Sequence, residues 1–230
     1  MQACRLISTL AALLTLLAAC HAIAAGNPAN SLPPPTETEA ARALLKLTPP
    51  AHYCPLDPRL DADYLALASM SYARTGSDLL VLWRDCKTLS ISRTGLEDYS
   101  KPSIAITAKV KDGHIIHLNM KQAEFLAALE REIAAGTAAA GGNAGNRLLG
   151  VVGRDTNAVY LGVLATQRVN GKDTVLATVL AGTLLKGLFL EVSVFQNFDG
   201  DMALSGETSY TKQIIRQLFA DNAAPAASPN

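Results

Sequence analysis

The chain has 230 residues, 49% of them hydrophobic and 17% charged, with 20 lysines and arginines against 20 aspartates and glutamates. That length and apolar content allow one good-sized domain with a real core. The even charge, without a basic cluster, argues against nucleic acid as a partner, because phosphate binding depends on Lys and Arg.

The first element in chain order is an uncharged apolar run, Leu6 to Ala19 (LISTLAALLTLLAA), preceded by Arg5. This is the layout of a secretion signal. The run is too short for a comfortable bilayer span, which takes about 20 apolar residues, and a polar stretch with proline follows it. Residues 1–24 are therefore expected to be a cleaved signal peptide, and the mature protein to act in the periplasm or cell envelope. Two cut sites compete. Leu17-Ala18-Ala19-Cys20 resembles the bacterial lipobox, in which cleavage after Ala19 leaves a lipidated Cys20 as the membrane anchor. Ala22-Ile23-Ala24 is a small-x-small site that would remove Cys20 and release the protein.

Export assigns the cysteines. Cys4 leaves with the leader and Cys20 is removed or lipidated, so Cys54 and Cys86 remain as a pair, expected as a disulfide in an oxidising compartment. Two cysteines with only His52 nearby do not form a zinc ligand set.

Residues 25–35 are rich in asparagine and proline and read as a disordered tether. Thr36-x-x-Glu39 is a capping box that opens a helix expected to run through Leu47 and to be ended by Pro49-Pro50. Asp61 to Ala73 (DADYLALASMSYA) predicts a second helix capped by Asp61, with an alternation loose enough to leave a strand as the alternative. Leu79 to Trp83 predicts a buried strand leading to Cys86. Ser103 to Val110 and His114 to Leu118 predict a hairpin turning at Lys111-Asp112-Gly113. Asn119 is the expected cap of an amphipathic helix carrying Phe125, Leu126, Leu129 and Ile133 on one face.

The glycine and alanine run at 136–146 predicts a flexible loop. Beyond it, three strands are expected at 157–168, 173–183 and 187–196. The first two are joined by Asn170-Gly171, the strongest short hairpin signature in the chain. A last helix follows Asp199-Gly200-Asp201 and buries Ile214, Ile215 and Leu218. The tail, 223–230, is expected to be disordered. The whole of 36–222 reads as one α+β domain, with an antiparallel sheet of about five strands and helices on its faces.

No residue set defines a catalytic, cofactor-binding or metal site. Ser209-Tyr210-Thr211-Lys212 has the S-x-x-K spacing that places a lysine beside a serine nucleophile, yet the downstream motifs of penicillin-recognising enzymes are missing. His114 and His117 on a strand point to opposite faces. Asn197, Asp199 and Asp201 alternate like the opening of a calcium loop, but the glycine and the closing Glu207 are out of register.

The C-terminal third, with Thr183 and Gly187 near the second turn, a last strand ending Val194-Phe195 and a closing helix, resembles the PsbP-like group. That resemblance implies an antiparallel sheet sandwiched by helices and an exported accessory or binding role without enzymatic activity. The expected function is thus a non-catalytic envelope protein that binds or inhibits another envelope protein, without a cofactor, and that meets a membrane only through Cys20. The alternatives are an envelope hydrolase using Ser209, Lys212 and His117, and a structural envelope component that self-associates.

Overall fold

The computed structural model of the chain describes residues 36–94, 99–139 and 146–223. The secretion signal with both cut sites and Cys20, the tether at 25–35, and the tail after Ala223 lie outside the described residues. The elements are α1 (Glu37–Leu44), β1 (Tyr53–Pro55), α2 (Ala62–Ala73), β2 (Ser77–Asp85), α3 (Cys86–Ser92), β3 (Ser103–Lys111), β4 (His114–Ile115) and α4 (Gln122–Ala139). They continue as β5 (Asn146–Arg154), β6 (Val159–Val169), β7 (Lys172–Leu185), β8 (Leu188–Asn197) and α5 (Asp201–Asn222).

The α+β class holds, but the sheet has eight strands where about five were expected. Seven run in the order β1-β2-β3-β8-β7-β6-β5, and β4 pairs with β3 off this path; all pairings are antiparallel. The strands missing from the sequence reading are β1, only three residues long, and β5, whose Gly150 and Gly153 sit at register shifts against β6. Those bulges break the alternation by which a strand is recognised.

Three hairpins turn on two consecutive residues with positive φ: Asp112-Gly113, Asn170-Gly171 and Lys186-Gly187. This is the turn whose twist matches that of the flanking strands. Asn170-Gly171 lies where the sequence puts it, joining Val169 to Lys172. Lys186-Gly187 does the same work although its first residue is not a usual turn former.

One face of the sheet carries the larger apolar cluster. Leu188, Leu190, Val192 and Val194 of β8 join Ile104, Ile106 and Val179 there, covered by Ala41 and Leu45 from α1's end and by Ile214, Ile215 and Leu218 from α5. The opposite face is covered in two parts. α4 lays Phe125, Leu126, Leu129 and Ile133 on Val159, Leu161 and Leu184. It sits close because Gly182 has no side chain, and a Cβ there would run into Leu129 Cδ2. α2 and α3 cover the other part, with Leu65, Ala68, Tyr72 and Leu89 packed on Leu79, Leu82 and Ala105.

Local capping explains where several helices start. At α1 the Thr36 hydroxyl accepts from the Glu39 N–H and the Glu39 carboxylate accepts from the Thr36 N–H, the expected capping box. Arg42 then donates to the carbonyls of Leu79 and Leu80, both at 2.7 Å, where a bulge interrupts β2. Asp61 precedes α2 but accepts nothing from its first turn, contrary to the expected cap. Its carboxylate is taken by a two-point pair with Arg93 and by the Asp57 N–H.

Asn119 is not the cap of α4, which begins three residues later. Leu118 donates to the Gly187 carbonyl and His117 bridges Leu188, so the chain stays extended there. The expected loop at 136–146 is shorter too. α4 runs on to Ala139 and β5 starts at Asn146, leaving 140–145 outside the described residues. Cys54 and Cys86 form the expected disulfide, with Cα atoms 5.1 Å apart, tying the edge strand β1 to the first residue of α3.

Candidate functional site

The residues of the hydrolase alternative are not brought together. Ser209 is exposed on α5 and no hydrogen bond joins it to Lys212 among the described residues. The Lys212 ammonium instead lies 5.5 Å from the centroid of the Tyr160 ring, a cation–π contact, with its stem over Gly153. His117 sits at the Leu188 end of β8, whereas α5 starts from the Asn197 end. His114 faces Glu37 on α1, with Nδ1 2.8 Å from its carboxylate, and the Ile115 N–H donates to the same group. These contacts pin α1 to β4. They hold the His114 imidazole above its usual range and the Glu37 carboxyl below.

Asn197 and Asp199 are exposed near the end of β8, while Glu207 is turned inward on α5, so they share no ligand sphere. No cluster of three His, Cys, Asp or Glu capable of holding a metal exists among the described residues.

Glu207 is only 1% exposed, and both carboxyl oxygens lack a hydrogen-bond partner among the described residues. Burial pushes its pKa up to about 8; the Gln196 backbone opposes the shift but stops short of a hydrogen bond. Below pH 4.5, the ordinary value for this group, the carboxyl is protonated folded or unfolded and costs little. Between there and about 8 only the unfolded chain gives up its proton, so stability falls as pH rises. Glu207→Gln is expected to add about 1–3 kcal/mol at pH 8 and little at pH 4.5. Urea denaturation of both proteins at the two pH values checks this, and equal gains at both would refute it.

Two polar clusters lie under α2, and neither is evident in the sequence. On β3, Lys109 is 5% exposed; its ammonium is 3.3 Å from Glu191 of β8 and donates to Ser77 Oγ and the Thr75 carbonyl at 3.0 and 3.1 Å. Nearer the start of β3, the Arg84 guanidinium lies 5.6 and 5.0 Å from the ring centroids of Tyr64 and Tyr99. Both clusters are closed over by protein and serve as the polar interior of this half of the sheet. A charged residue at an inward position on each of two strands is the only sequence sign of the first.

The unusual surface is α2 itself. Its inner side, Tyr64, Leu65, Ala68 and Tyr72, packs on the sheet. Its outer side, Ala62, Ala66, Leu67, Met70 and Ala73, is exposed, with Leu67 at 49% and Met70 at 53%. Leu60, just before the helix, is 67% exposed. A helix of a monomer normally carries charged residues on its solvent side. Between Asp63 and Arg74 the outer side of α2 carries no charge and only Ser69 as an exposed polar side chain, so apolar residues lie on both sides of the helix and its alternation is loose enough to fit a strand as well.

A scan of protein-family models finds none that matches this chain, and a search of curated proteins finds none similar to it.

Proposed function

We propose that this protein is an exported, non-catalytic component of the cell envelope that works by protein–protein contact, with the outer side of α2 as its docking surface. The observation that carries this reading is the apolar outward face of α2, of a kind that marks interaction sites on otherwise well-covered proteins. Scattered Ser209, Lys212 and His117 speak for binding over hydrolysis, since a nucleophile without a base in reach is not activated. The Cys54–Cys86 bond fits an oxidising compartment. Among the described residues no helix is long and apolar enough to cross a membrane; attachment through a lipidated Cys20 and release by cleavage after Ala24 are the two states the leader allows. The PsbP-like pattern of the C-terminal third, a sheet between helix layers, agrees with an accessory role.

The test is site-specific photo-cross-linking in cells, with the reactive group at Leu67 and, as a control, at the exposed Lys172 on the β6–β7 turn. Protein adducts from position 67 and none from 172 are expected. Absence of any adduct at 67 would overturn the assignment of α2.

A further inference from the structure

The outward side of α2 has a symmetry in its sequence that narrows the choice of partner. Asp63, Ala66, Leu67, Met70, Ala73 and Arg74 lie at helical spacing on one exposed stripe. Leu67 and Met70 flank the midpoint between Ala68 and Ser69, and Asp63 and Arg74 lie equally far beyond it on either side. A stripe arranged this way is complementary to its own copy when the two helices run antiparallel.

We propose that the partner seated on α2 is a second copy of this chain, packed helix to helix about a two-fold axis; this rests on the reading of α2 as a docking surface. Leu67 of each copy then meets Met70 of the other, and Asp63 of each meets Arg74 of the other. Ala66 keeps the helix axes close, as small residues do at a crossing. Arg74 already has an interaction within its own chain. Its guanidinium carries five donors, enough to serve a second carboxylate. The apolar pair supplies the attraction, and the exposed ion pairs set direction and register. One twelve-residue helix gives an interface at the low end of the usual size range, so the dimer is a weak one.

The experiment is sedimentation of the full mature chain over a concentration series. The expected result is a rise from one to two copies at about tens of micromolar. Leu67→Glu is expected to weaken association by about tenfold or more. Asp63→Arg and Arg74→Asp alone place like charges together and should each weaken it several-fold, whereas the two combined restore it. All these positions are exposed, and thermal melts that match the parent verify that the variants fold. A parent chain that stays monomeric at ten times that concentration overturns the proposal, as does a double swap no better than the singles. A monomer whose position 67 cross-links to a different protein overturns the dimer but keeps α2 as a docking surface. A monomer with no cross-link overturns both.

Discussion

Replacing Lys109 with methionine is expected to lower the unfolding free energy by about 3–5 kcal/mol, the usual effect of stripping a buried charge of its partner. Methionine keeps most of the volume, so the loss is electrostatic. Among the described residues it leaves the Glu191 carboxylate, whose side chain is 16% exposed, with the Ser77 hydroxyl at 3.3 Å as its remaining hydrogen-bond partner. Combining Lys109→Met with Glu191→Met should recover most of the loss, because an apolar pair needs no desolvated charge. Urea midpoints of the two single variants and the double give the coupling directly. A single variant that loses less than about 1 kcal/mol would mean that water reaches the pair.

The second large effect belongs to the disulfide. Breaking Cys54–Cys86, which closes a loop with a sequence separation of 32, is expected to cost about 3–4 kcal/mol on the chain-entropy account. Cys86 is exposed, so a reductant can reach it without unfolding. β1, at the sheet edge, is only three residues long and contributes few hydrogen bonds of its own. Its Tyr53 ring also packs 6.1 Å from Tyr210 on α5, so freeing this strand loosens a contact between the sheet edge and the helix layer. Denaturation with and without reductant, with thiol content read by mass after alkylation, checks the effect. An unchanged midpoint for the fully reduced chain would refute it.

The parts of the fold that local chemistry determines were legible in the sequence. The capping box at Thr36, the Asn170-Gly171 turn, the two-sided pattern of β8 and the pairing of Cys54 with Cys86 all rest on neighbouring residues or simple elimination. What was not legible depends on distant partners. Glycines at bulges disguised β5, and α3 went unread although Asp85 caps it by accepting from the Lys87 and Thr88 N–H groups. Asp61 looked like a cap because nothing local reveals that Arg93, 32 residues on, takes its carboxylate. The candidate site follows the same rule. Ser209 and Lys212 have a suggestive spacing, yet the Tyr160 ring captures the lysine from another element. The loose alternation of α2 left a strand open, when it reflects a helix with apolar residues on both its sides.

The order of strands also sets a schedule. β3, the strand by which the N-terminal half meets the C-terminal meander, pairs on one side with β2 and on the other with β8, the last strand to be synthesised. The β5–β8 meander closes through consecutive neighbours, but its junction with β3 spans a long stretch of chain, the kind of contact that forms slowly. Until β8 is made and delivered, β3 keeps an open edge and the N-terminal half of the sheet stays unfinished. On the proposed reading of an exported protein, that edge would cross the membrane unpaired and the sheet would be completed only on the far side.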